Sequence, residues 1–228
     1  TPKPSSIPAA VVPLPHAALT CLATPGQTTI EGVCTAQGWQ PGQLVKVLLL
    51  LARLEDGQQQ PVLVSLRGDQ DLNEVKLVNA VSRRNEQGVL DCRPISPDDL
   101  RRQGIDTIPF GSIGPDLADE VLADAASWTT SFLRLADTTA TELEQFHCGA
   151  NAEDQHRSHC SWGDLGGAPV GEDLRKARAG ERCVHNPDAR LQEKRGIEVG
   201  HIFQLGRKYS QALDCCFTNE NGLSLIHL

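Results

Sequence analysis

Residues 44–51 read "LVKVLLLL": seven aliphatic side chains and one lysine, Lys46. The run lies between the turn-forming Pro41-Gly42 and the polar "EDGQQQ" of residues 55–60, and this pattern is that of a strand. Side chains alternate along a strand. Lys46 therefore shares a face with Leu44, Leu48 and Leu50, while Val45, Val47, Leu49 and Leu51 form the other. Both faces are apolar, which implies cover on both. The same pattern isolates Lys46, because a buried ammonium without a partner is costly. It either reaches a carboxylate, a carbonyl cluster or an anionic ligand, or it snorkels from the strand end to water.

Working outward, a strand over 44–53 pairs with a second over 61–67 as a hairpin. Upstream, "TPGQTTIEGVCTAQG" (24–38) reads as a turn and then a helix. Thr28 and Glu31 make a capping box, Ile30, Val33 and Cys34 share a face, and Gly38 ends the helix. Downstream, "GDQDLNEVKLVNAV" (68–81) gives a helix with Asp71 as N-cap and Leu72, Val75 and Val78 turned inward. In "SPDDLRRQG" (96–104) Ser96 caps a short helix, Pro97 opens it and Gly104 closes it. "FGSIGP" (110–115) is a glycine-rich loop, "SWTTSFLRLA" (127–136) a strand, and residues 138–147 a weak helix. Residues 163–171 are loop-like, and a charged segment runs on to Arg195. "GIEVGHIFQLG" (196–206) reads as a strand and "RKYSQALDCC" (207–216) as the start of a helix. Strands and helices alternate irregularly, so the expected class is α+β with a mixed, mainly antiparallel sheet and surrounding helices. Residues 1–18 carry five prolines and no helical period, so residues 1–19 are expected to be a linker.

Composition narrows the classes of function. The chain has 228 residues, with 21 Lys and Arg against 29 Asp and Glu, a formal charge of −8. A wide grip on a nucleic-acid duplex needs clustered cations and is not expected, whereas a narrow contact to a nucleic-acid end is allowed. No apolar run approaches the roughly 20 residues of a membrane span. No basic segment precedes an apolar one as in a signal peptide. The sequence starts at Thr1 and has no methionine, so it is expected to be a processed form or a piece of something longer. The eight cysteines are irregularly spaced, which is expected of reduced thiols in a cytoplasmic protein.

At "KRGIEVGHIFQLGRKYS" (194–210) the sequence resembles the segment of bacterial, and especially cyanobacterial, prolyl-tRNA synthetases that resumes the class II aminoacylation core after their editing insertion. "TPGQTTIE" (24–31), "VKVLLLLA" (45–52), "LVSLRGDQDLNEVKL" (63–77), "FGSIGP" and "CGANAEDQH" (148–156) resemble motifs of that insertion, in the same order. The resemblance spans roughly residues 20–222. It implies an editing domain of the YbaK-like deacylase family at 20–165, a return linker at 166–195, and part of the class II core at 196–228. The implied activity is hydrolysis of alanine wrongly attached to the proline tRNA. Such a second sieve exists because a synthetic pocket cannot strongly reject a smaller apolar amino acid.

The resemblance also gives roles to residues. Lys46 matches the substrate-binding lysine, whose partner is a phosphate or the ribose of the terminal adenosine. Thr24 matches a pocket threonine, and Gly111 to Pro115, with Gly114 between, match a Gly-x-x-x-Pro loop. Backbone N–H groups of that loop can orient the ester carbonyl or a water. Asp137 and His156 match the remaining polar pair. Read without the resemblance, Asp137 is a helix N-cap and His156 a solvent-exposed loop residue. The family pattern gives His156 a positioning role, with water activated by the substrate's ribose hydroxyl, rather than the general-base role that its titration range permits.

His201 and Phe203 resemble proline-pocket positions of the synthetic core, but class II motifs 1, 2 and 3 are not found. The implied partners are the 3′ end of the proline tRNA carrying alanine and the remainder of a synthetase. No cofactor is implied for editing. ATP and Mg, and a homodimer, belong only to a full-length enzyme. Two other readings stay open. One is an inactive tRNA-end or partner-binding module. The other is a zinc site drawn from His147, Cys148, His156, His159, Cys160, Cys183 and His185, although no C-x-x-C occurs.

Overall fold

The computed structural model describes residues 6–105, 108–196, 200, 210, 212–213, 215–218 and 224–226. In chain order the elements are β1 (Ser6–Ile7), β2 (Thr20–Ala23), α1 (Ile30–Gln37), β3 (Val45–Leu54), β4 (Gln59–Arg67), α2 (Glu74–Asn85), β5 (Val89–Pro94) and α3 (Pro97–Gln103). They continue with β6 (Leu133–Asp137), α4 (Thr138–Thr141), β7 (Phe146–Gly149), β8 (Gln155–Cys160), β9 (Gly171–Glu172), β10 (Arg182–Cys183), β11 (Cys216–Thr218) and β12 (Ser224–Ile226). The chain forms two units, residues 1–192 and 193–228. In the second, β11 and β12 pair as an antiparallel hairpin. The strand expected over 196–206 and most of the helix expected over 207–216, including His201 and Phe203, lie outside the described residues.

The first unit is built on β3. Its sheet runs β5-β3-β4-β6-β9, antiparallel at β5-β3 and β3-β4, and parallel at β4-β6 and β6-β9. With the antiparallel sheet β2-β8-β7 beside it, the architecture is the expected mixed, mainly antiparallel α+β. Both faces of β3 are covered, as its two apolar sides demand. Leu49 and Leu51 pack with Ile95, Leu100, Leu117, Trp128 and Phe132. Leu50, Ala52 and Leu54 pack with Leu77, Ala80 and Val81 of α2. Each fully buried aliphatic of this kind contributes roughly 1.5–3 kcal/mol. At its N-terminal end β3 meets the small sheet: Leu44 bridges His147, and Val45 packs with Phe146, Cys148 and Cys160. Lys46 stands at this junction.

Helix starts differ from the sequence reading by one or two residues. Thr29, not Thr28, caps α1, its hydroxyl accepting from Gly32 N at 3.1 Å. Gly38 ends the helix as expected, at φ 71°. Asn73, not Asp71, caps α2, accepting from Lys76 N at 3.1 Å. That shift turns the buried stripe to Leu77, Ala80 and Val81 and leaves Val75 exposed. Asp71 is drawn into tertiary bonds instead: its carbonyl accepts from Lys176 N and its carboxylate pairs with Arg178. Helix α3 has the expected Ser96 cap, Pro97 and Gly104, with Asp99 completing a capping box. Only Leu133–Asp137 of the strand expected at 127–136 is a strand, because Trp128 turns into the core and donates to Gln59 Oε1. The weak helix at 138–147 shortens to α4, and β7 begins at Phe146.

Two segments expected to be linkers carry paired structure. In the 1–19 arm, β1 pairs with β10. In the 166–195 segment, β9 extends the main sheet beside β6, and Leu174 is fully buried. Asp137 fastens this second strap. It is buried, and it caps α4 through Oδ1, which accepts from Thr139 N at 3.0 Å and from the Thr139 hydroxyl at 2.6 Å. Its Oδ2 accepts from Leu174 N at 2.9 Å and Arg175 N at 3.0 Å. Replacing Asp137 with Ala leaves two buried strap amides without acceptors, at about 1–3 kcal/mol each. Urea denaturation of Asp137→Ala should show a loss of at least about 2 kcal/mol, with faster proteolytic nicking between residues 173 and 190. Stability within about 0.5 kcal/mol of the parent would show that the strap is held by other contacts.

Candidate active site

A cleft of about 220 Å³ opens where the two sheets meet. Val45, Lys46, Val47 and Leu48 of β3 form one wall, the start of α1 from Thr28 to Val33 another, and Gly111, Ile113, Cys148, Gly149 and His156 close it. Such a volume lies below the usual range for small-molecule pockets. It suits a small group rather than a large side chain.

Lys46 is half-buried, and its ammonium donates to Gly68 O at 3.3 Å. No carboxylate pairs with it among the described residues. Burial lowers its pKa; Asp71 and Asp69 oppose that shift, and Arg178 adds to it. The lysine is thus a cation held at a cleft with one weak carbonyl contact.

His156 sits on β8 with Gly149 of β7 opposite and Leu22 of β2 on its other side. Both His156 and Thr24 are buried, and the Thr24 hydroxyl lies 2.7 Å from His156 Nδ1. Burial lowers the imidazole pKa, and a hydrogen bond with the Gly111 backbone partly opposes it. At neutral pH the ring is therefore neutral, and its orientation is fixed by Thr24 and Gly111. The exposed position that a polar loop suggested is not what β8 provides.

The 111–115 loop is clamped to the end of β7. Asn151 N donates to Ser112 O at 2.9 Å, and Gly114 N donates to Asn151 Oδ1 at 2.7 Å. Asn151 in turn donates through Nδ2 to Asp116, which also accepts from Arg157. The approach requires glycine on both sides. A Cβ on Gly149 would lie 2.3 Å from Ser112 O, and one on Gly111 (φ 90°) 2.6 Å from the Thr28 Cβ. With Gly114 N and Ser112 N engaged, Gly111 N and Ile113 N are the loop amides without acceptors among the described residues. Gly111 and Ile113 both line the cleft, so their two N–H groups are the loop donors available to a carbonyl oxygen there.

Of the residues the sequence singled out, Lys46, Gly111 and His156 share the cleft, and Thr24 backs His156. Gly114 and Pro115 belong to the loop without lining the cleft, and Asp137 is engaged with α4 and the strap. Sequence reasoning missed Ile113 and Asn151. The signal for Asn151 was its residue type: it adopts φ 58°, a left-handed conformation that asparagine tolerates. Cys148 lines the cleft near His156, but a hydrogen bond with Cys160 together with burial pushes its thiol pKa well up, so it stays a thiol rather than a nucleophile. No three His, Cys, Asp or Glu side chains among the described residues converge as a metal ion would need. Cys21, Cys34, Cys92, Cys148, Cys160, Cys183 and Cys215 are free thiols. Among the described residues no helix is long and apolar enough to cross a membrane.

This fold and cleft are those of an aminoacyl-tRNA editing domain: the model of that family matches residues 24–164, and the chain belongs to it. Its curated relatives include a proline–tRNA ligase of Parasynechococcus marenigrum (strain WH8102), 92% identical over 220 residues, or 96% of this chain and 37% of the relative. The proline–tRNA ligase of Synechococcus sp. (strain CC9902) is 62% identical over the same shares. The chain thus spans 37% of the length of these relatives. A solved structure described as a candidate trans-editing enzyme for prolyl tRNA synthetase overlaps 70% of this chain and 87% of its own, at 18% identity and a TM-score of 0.45.

The buried histidines make stability depend on pH. His147 is stacked on Trp39 at 3.9 Å, and neither of its ring nitrogens has a partner. Burial and the neighbouring His159 lower its pKa to about 4. Below about pH 6.5 the unfolded chain takes up a proton that the folded chain refuses. Stability is therefore full above that pH and falls as pH drops toward 4, by roughly 3 kcal/mol for this residue. His156 adds in the same direction. Urea midpoints measured across this window should fall less steeply for His147→Phe than for the parent. Parallel curves would assign the acid sensitivity elsewhere.

Proposed function

We propose that the chain is the editing portion of a cytoplasmic proline–tRNA ligase and that it hydrolyses the ester joining alanine to the proline tRNA. The observation that carries this reading is the composition of one small cleft: an ammonium without a carboxylate partner, aliphatic walls, a neutral histidine held by Thr24, and an unpaired amide at Ile113. The similarity to proline–tRNA ligases supports the choice of tRNA.

In this reading the terminal adenosine enters beside Lys46, whose ammonium turns from Gly68 O to a phosphate or the ribose. The alanyl side chain lies against the aliphatic wall. Ile113 N–H points to the ester carbonyl oxygen, where negative charge develops as water attacks. The water oxygen bonds to the carbonyl carbon, the carbon–ribose oxygen bond breaks, and the departing ribose oxygen takes the proton. Alanine and a tRNA with a free 3′ end leave. His156, neutral and fixed, positions the ribose or the water, and the substrate's adjacent ribose hydroxyl activates that water. No metal or cofactor takes part. ATP and Mg, and any homodimer, belong to the rest of the ligase.

The small cleft supports alanine as the preferred ester. Alanyl-tRNA(Pro) should be hydrolysed well and prolyl-tRNA(Pro) poorly; equal rates contradict the second-sieve account, and no hydrolysis of either means the chain only binds the tRNA end. Lys46→Ala separates the roles open to that residue. Loss of a charged hydrogen bond to substrate should lower kcat/KM by about 10- to 100-fold. With no carboxylate stranded, the variant should unfold within about 1 kcal/mol of the parent. A loss of about 3–5 kcal/mol would instead mark Lys46 as a member of a structural ion pair.

A further inference from the structure

Charge is unevenly distributed along this acidic chain. Residues 24–164, which the family model matches, hold 11 Lys and Arg against 21 Asp and Glu. Residues 174–195, outside that match, hold 7 against 3. The strap is fixed against the Lys46 side of the domain. Asn73 N donates to Leu174 O at 2.8 Å, Lys176 N donates to Asp71 O at 2.7 Å, and Leu72 bridges Arg175. Arg178 pairs with Asp71 at 2.8 Å, and both lie within electrostatic reach of the Lys46 ammonium.

Beside this point is a recess of about 530 Å³, with Arg67, Arg178, Arg182 and Arg190 on its walls against Asp69 and Glu181. The nearby acids are already matched. Asp69 is held by Arg67 at 2.7 Å, and Glu181 by the buried Arg175 at 2.8 Å. Arg182 and Lys176 are exposed and have no carboxylate partner among the described residues. Arg190 donates to Gly180 O. Gln70 also lines the recess and is 3% exposed. The one Thr139 hydroxyl proton goes to Asp137 Oδ1 at 2.6 Å, so the Gln70 amide, 2.8 Å from the Thr139 oxygen, is the donor of that pair.

We propose that this recess and the strap beside it bind phosphodiester groups of the RNA strand whose 3′ end enters the Lys46 cleft. The proposal rests on the reading of that cleft given above. Phosphate oxygens are acceptors only, and they match the surplus cations. Lys176 lies on the strap beside the recess whose walls carry Arg178, Arg182 and Arg190, and this spread of cations suits successive phosphates of a strand rather than a single ion. An acidic domain thereby gains a local grip without becoming a general duplex binder.

The test is binding of an unacylated RNA hairpin, with a short single-stranded 3′ end terminating in adenosine, to the whole chain at several salt concentrations. Lys176→Glu combined with Arg182→Glu should weaken binding roughly 10-fold or more and lower the salt slope by about 2. Both side chains are exposed, so thermal unfolding should stay at the parent temperature. Arg101→Glu with Arg102→Glu on α3 changes the net charge equally and should have a much smaller effect. An equal effect of the two charge reversals, no measurable binding by the parent chain, or displacement of the RNA by inorganic phosphate at constant ionic strength would each overturn the proposal. Because the RNA carries no amino acid, an absence of ester hydrolysis leaves this readout intact. In turn, hydrolysis of a phosphate-free alanyl-adenosine by the Lys176/Arg182 variant at the parent rate separates this site from the cleft.

Discussion

A strand that is apolar on both sides must be covered on both sides, and the first unit is arranged to meet that requirement for β3. One face meets α2, and the other meets α3 and the segment from Leu117 to Phe132. Where the main cover runs out, α1 packs on Leu44 and the small sheet on Val45. The seam between the covers tolerates a polar side chain within the aliphatic run of β3, and Lys46 stands there. The cleft is therefore a consequence of how β3 is buried.

The chemistry of the cleft rests on contacts that fix groups in place. Thr24 and Gly111 hold His156, and Asn151 holds the 111–115 loop at two points. The glycines at 111 and 149 let backbones meet where any Cβ would collide. A site preorganised this way offers a neutral ring, a free amide and a mobile cation to whatever enters, with little rearrangement required. Asp137 acts at a distance from it by fastening α4 and the strap to the end of β6. The strap carries the excess of cations over acids that the rest of the acidic domain lacks.

The hairpin of β3 and β4, the caps of α3 and the C-terminal Gly38 of α1 were legible because each depends on residues adjacent in sequence. The starts of α1 and α2 were misplaced by one and two residues because neighbouring Thr28 and Asp71 are equally good caps. Thr28 is instead packed against Gly111, and Asp71 is paired with Arg178. Strands β2, β7 and β8 are short, and β1, β9 and β10 span two residues each. Elements this short have no periodicity to read; they are defined by partners far away in the chain.

The sequence by itself determined that β3 is buried on both faces, that Lys46 is the one charge of its 44–51 run, that the class is α+β, and through its ordered motifs that an editing-type site exists. These follow from local alternation, turn chemistry and motif order. Only the tertiary structure decided that Lys46 has no carboxylate partner, that His156 is buried against Thr24, that Gly114 N is taken by Asn151 while Ile113 N is free, and that Asp137 is a clasp. Each of those depends on which donor finds which acceptor across separations of dozens of residues, and that choice is made when the sheets pack.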